Sequence, residues 1–366
     1  LNVPDVNTPT LRSAQSREWI ADINDLIVVT GAAGFIGTRV VNSLLSEGFQ
    51  NIRCLVRASS SLAGLEQLIA QYGSNRCEIV KGNLLSKNDC IGAVHDASVI
   101  LHLVTGRGKS YPACFQNSVV VTRNLLDAVV DGESITRFVN VSSFAVYSNI
   151  NLRRGAVLDE SCELEPHLEL RHDAYVYAKL KQDELVEDYR VRFSLPVVTV
   201  RPCVVFGPGR KNIPGVVGLD TFGPFLHLGG GNRLPLTFVD NCADAIVLSG
   251  LVSGIDGRVY NIVDDDLPSS RQFLRKYKAR VGRFRSFTVP YPLFYAFCAA
   301  WERYSARSEG QLPPVFNRRF CAFHWKGNKY PNQRLKEDLG WRPRVSIPEG
   351  MERYFQYVNG GGALNA

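Results

Sequence analysis

Leu26-Ile27-Val28-Val29-Thr30-Gly31-Ala32-Ala33-Gly34-Phe35-Ile36-Gly37 is the stretch from which the rest of the chain is read. An apolar, β-branched run passes without a break into a glycine-spaced turn, and the turn opens a helix-like segment at 37–47. Each glycine has its own physical task. Gly31 permits a sharp exit from the strand, Gly34 lets a phosphate approach the backbone, and Gly37 lets the helix pack close to the sheet. The first turn of that helix presents N–H groups without intrahelical partners and the positive end of the helix dipole. Strand, spacing and helix together predict a pyrophosphate cradle formed by Gly31, Gly34, Phe35, Ile36 and Gly37.

Outward from this turn, short apolar runs at 52–56, 77–81, 99–103, 138–142, 197–201 and 258–263 predict further strands. Several are apolar throughout, as strands covered on both faces should be. Helical patterns lie between them at 119–130, 174–192 and 243–252. The alternation predicts an α/β protein with a Rossmann-like, doubly wound parallel sheet. After Pro202 the rhythm changes. Pro208, Pro214, Pro224, Pro235 and the Gly229-Gly230-Gly231 run punctuate the chain into loops and short elements. The expected division is a polar extension at 1–25, a cofactor domain at 26–202 plus 240–263, a smaller, discontinuous C-terminal substrate domain at 203–239 plus 264–350, and a tail at 351–366. The apolar segment 293–301 reads as a buried helix of the second domain. A membrane-surface contact is its lesser reading.

Composition bounds the function. The 366 residues are 45% hydrophobic and 21% charged, with a net charge of +7. Such a chain builds a core without disulfides or metal. No basic run is dense enough to read as a nucleic-acid arm, and no apolar run reaches transmembrane length. The nine cysteines are an odd number, widely spaced and without CxxC, so they read as reduced thiols of a cytoplasmic protein. The six histidines form no metal-ligand pattern, and no metal is expected.

The second predicted strand ends at Val56-Arg57. An acidic side chain there would accept the ribose hydroxyls of NAD; Arg57, with Ser59 and Ser60, suits the 2′-phosphate of NADP instead. A solvated surface arginine, with NAD as the cofactor, is the alternative. Asn83 and Leu84 after the third strand, and Leu103 and Val104 after the fourth, complete the expected cofactor wall with Pro202 and Val204.

Further motifs follow in order: Val141-Ser142-Ser143 before Val146-Tyr147, a YxxxK helix, Arg201-Pro202 before Phe206-Gly207-Pro208-Gly209, and Asp338-Leu339-Gly340-Trp341-Arg342-Pro343. With the glycine turn, this set resembles the extended short-chain dehydrogenase/reductase family, the NAD-dependent epimerase/dehydratase group, over residues 26–345. The resemblance implies a Ser–Tyr–Lys trio. Tyrosine exchanges a proton with the reacting oxygen, lysine one helical turn later lowers the tyrosine pKa, and serine holds that oxygen. Ser143 takes the serine role. Two pairs fit YxxxK, Tyr175 with Lys179 and Tyr177 with Lys181. Tyr175 and Lys179 are preferred, because the residue three after the tyrosine is then the small Ala178 rather than Leu180. One departure from the family is Ser118, with Asn117 before it, where an asparagine is usual.

By the same resemblance, Phe144 and Ala145 replace the Asp-Glu of sugar dehydratases, the Glu of decarboxylases and the Cys of carbon-acid epimerases. Proton abstraction and elimination then lack their groups, and hydride transfer at one carbinol carbon remains. The expected activity is an NAD(P)-dependent oxidoreductase or 4-epimerase of a nucleotide-linked sugar, made by a homodimer through the 119–130 and 174–192 helices. A sterol-type or other ketone substrate is the second reading, and a non-catalytic NADP-binding scaffold the third. Thr105, Arg107, Lys109, Arg210, Lys211, Asn212 and Arg233 are the candidate substrate groups, with Thr105, Ser143, Arg210 and Asn212 foremost. Asp240, Asn241 and Asp244 are expected to cap and orient the helix after them.

Overall fold

A computed structural model describes residues 11, 18–106, 108, 110–132, 135–221, 223–309 and 311–360. Seven strands form one parallel sheet: β1 (Ile27–Thr30), β2 (Ile52–Val56), β3 (Cys77–Lys81), β4 (Val99–His102), β5 (Arg137–Val141), β6 (Val197–Pro202) and β11 (Val259–Ile262). Their spatial order is β11-β6-β5-β4-β1-β2-β3. Strands β1, β4 and β5 are buried at every residue, as their largely apolar sequences require, and their polar members Thr30, His102, Arg137 and Asn140 are all hydrogen-bonded. The edge strand β3 is only half-buried.

Helices cover both faces. One layer holds α1 (Gly37–Ser46), α2 (Ala63–Tyr72) and α8 (Val239–Leu251); the other holds α3 (Lys87–Val94), α5 (Val121–Asp131) and α7 (Ala174–Phe193). The short helices α4 (Tyr111–Phe115) and α6 (Leu168–Arg171) precede α5 and α7. The winding reverses between β1 and β4, so the loops after these two strands part and leave a crevice at the carboxyl edge of the sheet.

The remaining strands are short. β7 (Val204–Phe206) pairs with β10 (Leu236–Phe238), and β9 (Phe225–His227) lies between β8 (Gly218–Leu219) and β12 (Ser286–Thr288). With α9 (Ser270–Arg280) and α13 (Ile347–Asn359), they enclose a second core of Phe206, Phe225, Phe238, Phe273, Tyr354 and Phe355. Two further helices, α10 (Tyr291–Arg307) and α11 (Arg318–Trp325), pack on each other, and α12 (Gln333–Leu339) follows.

Several expectations are corrected here. Residues 351–359 are no tail: they belong to α13, which is capped by Ser346 and buries Met351, Tyr354 and Phe355. Leu335, Leu339 and Trp341 join the core of the main sheet rather than the second core, because α12 packs on α8 and β11. The described part of the N-terminal extension is fastened down. Trp19 stacks on Phe49 at 5.8 Å, and the Ile20 N–H donates to the Leu251 carbonyl. Residues 1–10, 12–17 and 361–366 lie outside the described residues.

The segment 293–301 is only half-buried. Helix α10 turns Phe294 and Cys298 inward and leaves Leu293 and Phe297 outside. Asp240, Asn241 and Asp244 do not cap α8, whose N-cap is Phe238. Asp240 and Asp244 instead pair with Arg39 and Arg344, and Asn241 bonds the Val345 backbone at both its amide and its carbonyl, tying the helix to its neighbours.

Candidate active site

A cleft of about 740 Å³ opens at the β1/β4 crevice. Its walls include Gly31, Gly34, Phe35, Ile36 and Gly37 from the first turn, Arg57 with Ser59 and Ser60, Asn83 with Leu84, and Leu103, Val104 and Thr105. Ser143, Tyr175, Lys179, Pro202 and Arg210 close the other side. Residues spread over 180 positions of sequence thus meet in one place.

The first turn has the shape a dinucleotide requires. Gly31 adopts φ +72°, a left-handed conformation open to glycine. A Cβ on Gly37 would stand 2.1 Å from the Gly31 carbonyl oxygen, so only glycine lets α1 start this close to the turn. Helix α1 has no side-chain cap at Ile36; its Thr38 and Arg39 N–H groups donate to the Gly34 and Ile36 carbonyls, so what its start offers an anion is the positive end of the helix dipole. Arg57 is exposed on the wall beside three serines, Ser59 to Ser61. Asn83 uses its side-chain oxygen locally, accepting from the Leu85 N–H at 3.1 Å.

Helix α7 carries the two YxxxK pairs on different faces. Asp173 caps it by accepting from the N–H groups of Tyr175 and Val176. Tyr175 and Lys179 face the cleft. Tyr177 faces away, edge-on to Tyr111 at 5.4 Å, while Lys181 pairs with Glu184 at 2.6 Å on the surface.

Lys179 is 1% exposed. Its ammonium donates to the Val141 carbonyl at 2.7 Å and to Gln182 Oε1 at 2.9 Å. From there a buried polar chain runs under the sheet. Gln182 donates to Thr122 Oγ1, and Thr122 donates to the Ser118 carbonyl. His102 Nε2 lies 2.9 Å from Thr122 Oγ1, and His102 Nδ1 lies 2.8 Å from Thr30 Oγ1. The Thr122 hydroxyl proton is already committed, so Nε2 is the protonated ring nitrogen and Nδ1 accepts from Thr30. Burial and the nearby Lys179 charge push the His102 pKa down to about 3, which keeps the ring neutral.

Ser143, two residues past β5, is in extended conformation and caps a single 3₁₀ turn, Phe144–Val146, with its hydroxyl accepting from the Ala145 N–H. Its neighbour Ser142 donates to Asp183 at 2.8 Å. Asp183 also accepts from Asn140 and from Arg201, and Arg201 donates to the Tyr147 hydroxyl. Tyr147 and Arg201, read in sequence as separate motif residues, are therefore one buried cluster behind the cleft. Ser118, the departure noted in sequence, sits in a one-turn π-helix, Gln116–Val120, where its hydroxyl accepts from the Gly106 N–H. Such bulges recur at functional sites.

Two expected residues lie elsewhere. Val204 lines no part of the cleft. It walls an apolar hollow of about 70 Å³ beyond Ser143, together with Phe144, Ala145, Leu158, Phe323 and Tyr330. Asn212 is exposed, and its carbonyl accepts from the Tyr354 hydroxyl at 2.8 Å, a fold contact. Arg233 reaches the Leu267 carbonyl at 2.6 Å. Arg107 and Lys109 lie outside the described residues. Sequence reasoning missed Gln182, Thr122 and His102. The one signal was a histidine ending an otherwise apolar strand, Val99-Ile100-Leu101-His102.

The model of the NAD dependent epimerase/dehydratase family matches residues 27–262. Low-salt glycan biosynthesis protein Agl12 of Haloferax volcanii is 29% identical over 91% of this chain and 98% of its own. The 2-alkyl-3-oxoalkanoate reductase of Stenotrophomonas maltophilia is 26% identical over 89% of this chain and 97% of its own. Among solved structures, the UDP-glucuronic acid 4-epimerase of Bacillus cereus, in complex with UDP-glucuronic acid and NAD, superposes with a TM-score of 0.68 at 20% identity, covering 92% of this chain and 99% of that one. The family match spans more than half of the chain and contains the glycine turn, Ser143, Tyr175 and Lys179; the chain belongs to the NAD-dependent epimerase/dehydratase family.

Proposed function

We propose that the protein is an NAD(P)-dependent oxidoreductase or 4-epimerase that acts at one secondary carbinol or keto carbon of a nucleotide-linked sugar. The observation that carries this reading is the convergence of Ser143, Tyr175 and buried Lys179 on the cleft headed by the glycine turn. Gly31, Gly34 and the start of α1 would hold the dinucleotide phosphates, and Asn83, Leu84, Leu103 and Val104 its adenosine side. When bound, the nicotinamide supplies or accepts the hydride. Tyr175 exchanges the proton with the substrate oxygen, Ser143 donates a hydrogen bond to that oxygen, and the Lys179 charge favours the phenolate.

The surroundings narrow the chemistry. The hollow beyond Ser143 is walled by Phe144, Ala145, Leu158 and Phe323, and burial pushes up the pKa of its two titratable groups, the Cys203 thiol and the Tyr330 phenol. Elimination and carbon-acid epimerisation find no carboxylate on that side, and both of these groups are held in their protonated form. The hollow is also small against the roughly 300 Å³ or more of ordinary ligand pockets, which disfavours a sterol body there. Arg210, on the cleft wall with its guanidinium 4.7 Å from the Phe35 ring, is placed to meet a diphosphate. The apolar lining favours one second reading, a reductase of a short hydrophobic ketone. We also propose that the active form is a homodimer joined through α5 and α7.

The deciding experiment incubates the enzyme and NAD(P)(H) with a panel of UDP- and dTDP-sugars and follows products by mass spectrometry and NMR. Interconversion of 4-epimers, or reduction of a 4-keto sugar, is the expected result. Inertness toward every nucleotide sugar, with turnover of a 3-oxo acid, would transfer the assignment to the ketone reading.

Cofactor choice rests on Arg57. We expect Arg57→Ala to weaken NADPH by about tenfold or more, the loss of one charge-assisted contact, and to leave NADH unchanged. Equal effects in titration calorimetry would remove the preference for NADP.

A further inference from the structure

Helix α10 has one face that the described residues leave uncovered. Its inner face seats Phe294 and Cys298 on Cys321 and Trp325 of α11. Its outer face carries Leu293, Phe297, Ala300 and Tyr304 at positions i, i+4, i+7 and i+11, a single stripe along the helix. Leu293 is 65% exposed, Phe297 44% and Tyr304 60%. Phe287 in β12 and Val315, which adjoins the Phe316 ring packed on Phe297, are further exposed apolar residues of this region. From Leu293 to Tyr304 the stripe runs about 17 Å.

The charge around it has one sign. Between residues 283 and 307 the chain carries four arginines, at 283, 285, 303 and 307, and one carboxylate, Glu302. Glu302 is turned off the stripe onto Arg318 at 2.5 Å. Arg303 and Arg307 lie along the edge of the stripe and are exposed, with no ion pair among the described residues. Glu309 lies past the end of the helix. A second copy would meet this face with the same face, since a two-fold interface repeats one patch, and the one carboxylate of the helix, Glu302, is already taken up by Arg318. An anionic lipid surface answers both features at once.

We propose that α10 is an interfacial helix that seats the protein on an anionic membrane. Leu293, Phe297 and Tyr304 enter the acyl boundary, and Arg303 and Arg307 meet the lipid phosphates. The helix lies on the bilayer: among the described residues no helix is long and apolar enough to cross one. The proposal is independent of the reaction assigned above, because its test reads binding alone.

The test sediments the full chain with phosphatidylcholine vesicles and with mixed phosphatidylcholine–phosphatidylglycerol vesicles. Binding to the mixed vesicles and weaker binding to the neutral ones is expected. Leu293→Ser with Phe297→Ser should lower that binding by about tenfold or more, the loss of two buried apolar side chains. Arg303→Glu with Arg307→Glu, which keeps the stripe, should lower it by a similar factor and abolish the lipid preference. Failure of the wild type to bind mixed vesicles, or binding at the wild-type level by either double variant, overturns the proposal. So does a self-associated wild type that both double variants convert to a smaller species in analytical ultracentrifugation.

Discussion

Tyr175→Phe is expected to lower kcat by about two to four orders of magnitude, the usual contribution of a positioned general acid or base. It leaves the dissociation constant of the cofactor within about twofold, because the substitution removes only the hydroxyl and α7 keeps its Asp173 cap and its packing. The control is Tyr177→Phe. That ring packs against Tyr111 and Phe115 on the far face of the helix, so its variant keeps wild-type turnover. Stopped-flow or steady-state kinetics with the identified substrate reads both. A dead Tyr177→Phe beside an active Tyr175→Phe would reverse the register and remove the site as described. Lys179 should matter nearly as much. Its ammonium is held by two oxygens in a buried setting, so its charge is fixed in place rather than mobile in solvent.

The parts of this architecture that were legible in sequence are those written in local pattern. The strand–glycine–helix turn, the apolar strands and the YxxxK spacing each announce themselves within about a dozen residues. Some local signals were present and unread. Ser86 followed by Asp89 caps α3, and Ser346, Pro348 and Glu349 open α13, yet neither helix was expected from the sequence. Periodicity also supplies the correction for 293–301, since apolar residues on both faces of a helix do not say which face is covered.

What could not be read is what depends on contacts distant in sequence. Thr122 and Gln182 are sixty positions apart, and nothing local marks either as a neighbour of Lys179. Val204 stands two residues after Pro202, which in one unbroken strand would share its side, but the strand is interrupted at Cys203 between β6 and β7, and Val204 faces the apolar hollow while Val205 lines the cleft. Asn212 had the right chemistry in the right region and was claimed by Tyr354 through its backbone. The Ser–Tyr–Lys group was thus visible as residue types, whereas the buried chain that holds its lysine had to await the fold.

That dependence of the site on its supports can be measured at Asp183. Asp183→Ala is expected to destabilise the protein by about 3–5 kcal/mol, the cost of stripping the partner from a buried charge. The Arg201 side chain is 8% exposed and its Nη2 lies 3.2 Å from Asp183. Asn140 and Ser142 donate to the same carboxylate at 2.9 and 2.8 Å, so truncation leaves a guanidinium and two further donors without their acceptor. Tyr147 retains its bond to Arg201 and does not replace the lost charge. The consequence reaches the chemistry because Asp183 lies one helical turn beyond Lys179 and two beyond Tyr175, on the same face of α7. Releasing it loosens the clamp that holds this helix to β5 and β6, and kcat should fall more than cofactor affinity. Urea unfolding gives the stability loss and steady-state kinetics the activity loss. Asp183→Leu combined with Arg201→Met removes both charges together and should recover much of the stability, as apolar replacements of buried ion pairs do. An Asp183→Ala protein with an unchanged unfolding midpoint would show that the cluster bears little of the load assigned to it, and that α7 is held by its apolar contacts alone.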